Sequence, residues 1–341
     1  MNLPEIVDIS MGGGGKRMDL LIKFIGEKIG LGNSDEDIVG PTDMDDSAVI
    51  KISSDRIVIT TDGHTVDPVF FPGGNIGDLA IAGTVNDLMV MGCQPLYLTL
   101  SMIIEEGFPF EKLGEICSTM GNLARKSGVR IVAGDTKVMP KGSLNNIVLT
   151  TAGVGVIKRE IPLQDSKGVP GDVVIVSGTI GDHGAALMAR REGIDLETNL
   201  PSDVKPLWPD FKEVVLHPGI RSMKDITRGG LASALSELST KSGLVIEVIE
   251  DRIPVDIRSK AICDILGLEP LEISSEGKVV MLCSKSSAEE VLGILKSTDA
   301  GKNAKIIGEL IEGTPEVHVK TKVGGTRLLD KPYGEPIPRV C

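Results

Sequence analysis

The sequence has few aromatic residues and an excess of acids, and both features restrict its partners. Aromatic residues make up 3% of the 341 residues, and the formal net charge is −12 at pH 7. A surface that stacks nucleobases needs aromatic side chains, and binding to the phosphates of DNA or RNA needs a basic face. We therefore expect no nucleic acid as a main partner.

The sequence also lacks a long hydrophobic run and a paired cysteine motif. No apolar segment approaches the roughly 20 residues of a membrane-spanning helix, and the first residues do not resemble a signal peptide. The five cysteines form no Cys-x-x-Cys pair, so neither a disulfide framework nor a zinc ribbon is predicted. We expect a cytoplasmic protein in a reducing compartment, without membrane attachment.

Length and periodicity predict a two-domain protein of mixed class. A chain of 341 residues is too long for one ordinary hydrophobic core. Segments with strand character are interleaved with helical ones, which indicates an α/β fold with α+β-like features. We place an N-terminal domain at residues 1–158, a C-terminal domain at 159–329, and an extended proline-rich tail at 330–341.

Several elements have clear local signals. A helix is predicted over 75–91, with Asn75 as its N-cap, and a second over 111–127, closed by Gly128. A third is predicted over 287–295 with a capping box of Ser287 and Glu290. Residues 199–218, rich in proline, are expected to be irregular. Two strands are expected to end just before Asp62 and just before Asp135.

The most informative pattern is a set of aspartates at the ends of apolar segments. They are Asp45 and Asp46, Asp62, Asp87, and Asp135. Mg²⁺ binds oxygen ligands and is usually shared with substrate phosphates, so carboxylates at the ends of elements are typical of such a site. Separate turn aspartates are the alternative, because Asp favours turns and caps. For four groups in one domain we favour the metal site.

Two other segments leave their interpretation open. Four glycines at positions 12–15 precede Lys16 and a predicted helix, and their backbone is free to wrap a phosphate or to form a flexible arm. Asp225 and Arg228 precede another predicted helix, where they fit either a metal or phosphate site or simple helix entry. The tail ends in Cys341, which alone is best explained as an incidental cysteine.

Taken together, these motifs resemble the HypE hydrogenase maturation factors. This family belongs to the wider group of aminoimidazole ribonucleotide synthetase, selenophosphate synthetase and thiamine monophosphate kinase. The most specific motif is the terminal Pro338-Arg339-Val340-Cys341, which reverses the interpretation of Cys341. Ile226 and Ser275 depart from the residues most often found in the family, which affects loop geometry only. The other motifs are residues 12–15, 45–49, 60–64, 77–80, 86–88, 134–137, 225–230 and 275–278.

The resemblance implies a fold and a set of site residues. N-terminal domains would pair across a homodimer into an intersubunit β-barrel, and ATP with Mg²⁺ would lie in a cleft. The implied metal residues are Asp45, Asp46, Asp62, Asp87 and Asp135. The implied nucleotide-binding residues are Gly14, Gly15, Lys16, Asp46, Thr61, Asp62, Asp87, Asp135, Thr136 and Asp225. The implied catalytic residues are Cys341, Glu276, Lys137 and, more weakly, His64.

The resemblance also implies a reaction. A HypF-like carbamoyltransferase would load a carbamoyl group onto Cys341, and ATP would drive its dehydration to a thiocyanate. The cyanide would then pass to iron on a HypC–HypD-like scaffold, as a ligand of a [NiFe]-hydrogenase. The alternatives are a non-catalytic, ATP-gated carrier and a selenophosphate synthetase. The latter needs a reactive Cys or its substitute in the glycine-rich segment, and residues 11–17 contain no Cys.

Overall fold

The chain folds into two α/β units, each built on its own sheet. The structure, a computed structural model, describes residues 4–12, 16–39, 42, 49–50, 52, 56–194 and 199–332. Predictions for Gly14, Gly15, Asp45, Asp46 and Cys341 therefore lie outside the described residues. In the described part of the chain, no helix is long and apolar enough to cross a membrane.

The described elements alternate along the chain. The helices are α1 (Lys16–Ile29), α2 (Ile76–Val90), α3 (Phe110–Ser127), α4 (Asp182–Arg191), α5 (Trp208–Leu216), α6 (Gly230–Ser242), α7 (Ile257–Leu266) and α8 (Ala288–Lys296). The strands are β1 (Asp37–Val39), β2 (Val49–Ile50), β3 (Ile57–His64), β4 (Phe70–Phe71), β5 (Gly74–Asn75), β6 (Cys93–Glu105), β7 (Arg130–Met139), β8 (Ile147–Ile157), β9 (Val173–Val176), β10 (Ile220–Asp225), β11 (Val245–Ile249), β12 (Val279–Cys283), β13 (Lys305–Ile311), β14 (Val317–Lys320) and β15 (Thr326–Leu328).

The first unit is organised on a four-stranded sheet in the order β3-β8-β6-β7. β8 is antiparallel to both β3 and β6, whereas β6 and β7 are parallel. The parallel pair is joined through α3, as a parallel connection requires. Among the described residues of one chain the order is linear, with β3 and β7 as edges, so the single chain forms no closed barrel.

Helix α2 lies at the junction of the two units. Asn75 caps it in a capping box with Asp78, as predicted. Every residue of α2 except Asp78 and Asp87 is buried, which is typical of a helix covered on all sides. It packs on β3, β8 and α3 of the first unit, and on β10 and α5 of the second. Polar groups on α2 are therefore placed between the two sheets.

The second unit contains a seven-stranded sheet in the order β10-β12-β9-β13-β11-β14-β15. Helix α6 packs against β11, β12 and β14, while α8 packs against β13 and α5. The central strands β9 and β12 are buried along their whole length, as expected for strands covered on both faces. Two apolar cores form, and one of them includes Met89 and Val90 of α2.

Several local predictions are wrong, each for a physical reason. Asp62 and Asp135 lie within β3 and β7, because the long neighbours β8 and β6 extend the pairing past them. The supposedly irregular region 199–218 contains α5, whose first turn accommodates a proline. The capping box at Ser287 is not formed, since its side chain makes no capping hydrogen bond.

Candidate active site

Three carboxylates from separate elements lie near enough to one another at the junction of the units for their charges to interact. Asp87 on α2 accepts a hydrogen bond through Oδ2 from Thr60 Oγ1 on β3, at 3.1 Å. Burial, together with the charges of Asp225 and Asp62, raises the pKa of Asp87 to about 7. We call Asp62, Asp87 and Asp225 the acid cluster. Two of its members come from the first unit and one from the end of β10 in the second.

A glycine on α2, Gly83, leaves room for Asp62 to lie against the helix. A Cβ atom on Gly83 would lie 3.0 Å from Asp62 Oδ2 and 3.2 Å from His64 Cε1, so a larger residue would push both away. The side chain of Asp62 is 30% exposed, which leaves it open to a ligand. The absence of a side chain at Gly83 therefore allows Asp62 to lie beside the helix that carries Asp87.

The acid cluster is short of positive charge. Burial raises the pKa of Asp225, and the charge of Asp62 adds to this, while the ammonium of Lys224 opposes it. Lys224 Nζ is also 2.9 Å from Glu237 Oε2 and 3.7 Å from Asp165 Oδ2. One lysine is therefore shared among several carboxylates, and the cluster would be stabilised by a further cation.

A cavity of about 400 Å³ borders this cluster. One part of its wall is apolar and the other is charged, which suits a ligand with an apolar group and an anionic group. The apolar residues are Val58, Ile59, Val90, Met91 and Met223, and the polar ones are Thr60, Asp87, Asp165, Lys224, Asp225 and Lys241.

Magnesium fits the chemistry of these residues. Carboxylate and hydroxyl oxygens are hard donors, and Mg²⁺ keeps several waters and binds through only one or two carboxylates plus substrate phosphates. The described residues contain no group of three acidic, His or Cys side chains placed to hold a metal ion by themselves, so substrate phosphates and water would have to complete the coordination. Asp62, Asp87 and Asp225 are the carboxylates that would contribute ligands, and the charge of the ion would offset the burial and the neighbouring carboxylates that raise the pKa of Asp87.

His64 lies beneath the cluster and takes part in a buried hydrogen-bond chain. Its Nε2 is 2.9 Å from Thr151 Oγ1 and 3.7 Å from Asp62 Oδ2, and the hydroxyl of Thr84 bonds to that of Thr151. Burial lowers the pKa of His64, although the charge of Asp62 opposes this. The exposed Thr61 donates to the Thr151 carbonyl at 3.2 Å. A contact of His64 with the tail stays a prediction.

Glu276 is buried beside an extended segment that crosses between the units. We call residues 199–207 the interdomain strap. Asp203 Oδ1 on this strap accepts the Glu276 N–H at 2.9 Å, and Asp203 Oδ2 lies 3.3 Å from Lys278 Nζ. The Glu276 side chain is therefore presented by a loop that the strap holds from one side.

Asn86 connects the strap to the acid cluster. Its Nδ2 donates to the carbonyls of Lys205, at 3.1 Å, and Glu276, at 3.4 Å, while its Oδ1 accepts the Leu207 N–H at 2.8 Å. Asn86 immediately precedes Asp87 on α2. The residue that binds the Glu276 loop is therefore adjacent in sequence to a carboxylate of the acid cluster. The predicted base and the predicted metal residues therefore share one framework.

Asp135 and Lys137 are not part of this cluster within one chain. Asp135 lies on β7, the edge strand opposite β3, and pairs with Ser101 of β6. About 14 Å of sheet therefore separates the two edges. Alternation places Asp135 and Lys137 on the exposed face of the sheet, away from α2, where their charged groups are 3.8 Å apart. Thr136 is buried on the other face.

The remaining predicted residues lie at or beyond the limits of the described chain. Lys16 is the first residue of α1, and Gly14, Gly15, Asp45, Asp46 and Cys341 lie outside the described residues. Four residues of the site were given no role from the sequence: Thr60, Asn86, Lys224 and Asp203. Thr60 and Asn86 lie within motifs and Lys224 adjoins one, which is a usable signal, whereas Asp203 lies in the proline-rich strap and gave none.

Comparison with known families agrees with the two-unit architecture. The family described as "AIR synthase related protein, N-terminal domain" matches residues 44–157, and its C-terminal counterpart matches residues 169–320. A putative hydrogenase expression/formation protein of Methanocaldococcus jannaschii is 48% identical over 332 residues, covering 97% of this chain and 98% of the relative. The carbamoyl dehydratase HypE of Cupriavidus necator is 39% identical, covering 98% of this chain and 95% of the relative.

Solved structures are similar over nearly the whole length. The hydrogenase maturation protein HypE in complex with ATP superposes with a TM-score of 0.92 at 33% identity, covering 98% of this chain and 99% of that one. A chain of a HypE–HypF complex superposes with a TM-score of 0.79 at 43% identity, covering 85% of this chain and 94% of that one.

Proposed function

Because this chain belongs to the HypE family of the AIR synthase related proteins, we propose that it is an ATP-dependent carbamoyl dehydratase. It converts an S-carbamoyl group on Cys341 into S-cyanide, with ATP consumed to ADP and phosphate. The product supplies the cyanide ligand of a [NiFe]-hydrogenase iron centre. The observation that carries this proposal is the acid cluster, which collects carboxylates from both units beside a cavity.

The acid cluster provides the phosphoryl-transfer half of the reaction. A magnesium ion held there would neutralise the charge that develops on the transferred phosphoryl group. Thr60 orients the carboxylate of Asp87, and Lys224 lines the same cavity as a cation for a phosphate. An amide oxygen is a poor nucleophile, so in-line placement and charge neutralisation must supply most of the rate.

The second half of the reaction is a proton transfer. Attack of the amide oxygen on the γ-phosphorus gives an O-phosphorylated imidate and ADP. Removal of the remaining N–H proton then expels phosphate and leaves the C≡N triple bond. Glu276 is our candidate for the base, because Asp203 and Asn86 hold its backbone. Lys137 is a second candidate, which could act only from another subunit.

Two partners complete the cycle. A HypF-like carbamoyltransferase would load Cys341, which agrees with the structure of a related HypE bound to HypF. A HypC–HypD-like scaffold would then receive the cyanide on its iron. Both steps need the terminal sulfur to leave the nucleotide cleft, and a proline-rich tail can extend over such distances.

We further propose a homodimer in which the two four-stranded sheets face each other. The sheet face remote from α2 carries Ile57, Ile59, Thr99, Asp135 and Met139, and we call it the outer face. Ile59 also borders the cavity, at the edge of the sheet. Ile59 is 67% exposed and Ile57 is 48% exposed, which is unfavourable for a lone chain. Pairing would cover these side chains and bring Asp135 and Lys137 towards a second subunit.

Mass spectrometry of the S-carbamoylated protein tests the proposal. With MgATP, we expect the wild-type chain to lose the mass of one water, whereas Cys341→Ala takes up no carbamoyl group. Glu276→Gln should still bind ATP but dehydrate much more slowly. An adduct that stays unchanged in the wild type with MgATP would instead support the non-catalytic carrier.

A further inference from the structure

The C-terminal tail leaves the second unit close to the acid cluster. Leu329 is buried in the core of that unit, and its N–H donates to the carbonyl of Val317 at 2.9 Å. Three residues later, Pro332 lies against the start of α6, where its Cγ would be 3.5 Å from a Cβ on Gly229. The position from which the tail departs is therefore fixed by the fold.

Between these two contacts, an ion pair links the tail to the site. Lys331 Nζ is 2.9 Å from Glu237 Oε1, and Lys224 Nζ is 2.9 Å from the other oxygen, Glu237 Oε2. Glu237 on α6 thus bridges a lysine of the tail and the lysine that precedes Asp225. A second cavity, of about 190 Å³, is lined by Lys224, Asp225 and Glu237 and lies beside this bridge.

Both lysines favour the ionised form of Glu237. Its side chain is 30% exposed, and burial alone would raise the pKa of Glu237. Hydrogen bonds from Lys224 and Lys331 outweigh that effect and hold the pKa of Glu237 below its ordinary value. The bridge is therefore charged at neutral pH.

We propose that Glu237 and Lys331 are positioning residues that hold the root of the tail beside the acid cluster. This inference rests on the proposed function, because it concerns how Cys341 reaches the nucleotide. The nine residues 333–341 span at most roughly 30 Å when extended. A fixed root raises the effective concentration of the terminal sulfur at the cluster, since it limits the distance that the remaining residues must bridge.

The experiment measures dehydration of the carbamoylated tail in single turnovers with saturating MgATP. We expect Lys331→Met to slow this step roughly fivefold, as loss of one partly exposed ion pair implies, and Lys331→Arg to restore it. Lys320→Met is the matched control, because Lys320 makes a similar surface pair with Glu247, at 2.6 Å, and is 52% exposed against 48% for Lys331.

A second arm separates positioning from chemistry. Full-length chains that carry Cys341→Ala receive a synthetic S-carbamoylated peptide of residues 333–341, and the cyanated peptide is measured. Lys331→Met should leave this rate unchanged, since the added peptide has no root to hold. An intramolecular rate for Lys331→Met equal to that of the wild type, or an equal loss in both arms, overturns the proposal. Absence of product in both arms from chains that retain Lys331 would instead refute the dehydratase itself.

Discussion

At the scale of single residues, we expect one substitution in the acid cluster to have opposite effects on the stability of the free protein and on the binding of MgATP. Without a cation, Asp62 and Asp225 repel the carboxylate of the largely buried Asp87. Asp87→Asn removes this repulsion and keeps the shape, so we expect the ligand-free protein to gain on the order of 1–2 kcal/mol. The same change removes a proposed magnesium ligand, so the rise in Tm caused by MgATP should largely disappear.

Thermal unfolding with and without MgATP measures both effects. Asp251→Asn is the control, because Asp251 is 62% exposed and forms a surface ion pair with Lys322 at 3.2 Å. It should change neither the stability of the free protein nor the shift produced by the ligand. An undiminished MgATP shift in Asp87→Asn would remove Asp87 from the metal site.

A second residue-scale prediction concerns pH. Asp37 accepts two hydrogen bonds from Arg130, at 2.8 and 2.6 Å, and one from the Ser34 N–H at 2.8 Å. The hydrogen bonds from Arg130 lower the pKa of Asp37 from 3.8 to about 2. The pKa of Asp37 is lowered only in the folded state, so the ionised carboxylate stabilises the fold. This stabilisation is complete above about pH 4 and is lost as the pH falls through 2.

Asp37→Asn should therefore cost about 1 kcal/mol of unfolding free energy at pH 7, after allowance for solvent screening. Urea unfolding across the acid range is the measurement. The difference between wild type and variant should shrink between pH 4 and pH 2. A difference that is constant over that range would show that the charge of Asp37 contributes nothing and that only its shape matters.

At the scale of elements, the sequence predicts correctly the helix ends that are determined by neighbouring residues. Asn75 and Gly128 end their helices as predicted, because a side-chain acceptor or a left-handed glycine acts on neighbouring residues. Asp62 and Asp135 were placed wrongly at strand ends, because the length of a strand depends on a partner distant in sequence. The start of α5 was hidden by prolines that are compatible with a first helical turn.

The Glu276 loop gives a prediction at this scale. A Cβ on Gly277 would lie 2.0 Å from the carbonyl oxygen of Asp203, so Gly277→Ala must displace the interdomain strap. Overpacking of this kind costs about 3 kcal/mol, and dehydration should fall because Glu276 loses its place beside α2. Gly293→Ala is the matched control, since no atom of the described residues lies within 4 Å of its Cβ position.

Chemical unfolding and the single-turnover dehydration rate check this pair. Gly293 lies inside α8, so its change to alanine should slightly stabilise the helix, by about 0.5–1 kcal/mol, and leave the rate unchanged. A normal dehydration rate in a folded Gly277→Ala protein would mean that the strap does not position the base.

At the scale of the whole molecule, the site exists only because two units meet on α2. Sequence motifs predicted Asp62 and Asp87 as members of one site and gave Asp225 as a weaker one. They could not show that β10 brings Asp225 to the other two, because that depends on how the second unit packs against the first. The contribution of Asn86 depends on the same packing, since its partners Lys205, Leu207 and Glu276 belong to the second unit.

The outer face leads to the last prediction. Ile59 is 67% exposed and is the third residue of the edge strand β3. In the proposed dimer, a charge placed there would be buried against a second subunit without a partner. Ile59→Glu should therefore produce monomers in sedimentation experiments, with a cost of several kcal/mol to association. Val323→Glu is the control, since Val323 is 94% exposed and lies in the loop between β14 and β15 of the other sheet. If Ile59→Glu remains as associated as the wild type, the two sheets do not face each other, and Asp135 cannot reach a neighbouring site by that route.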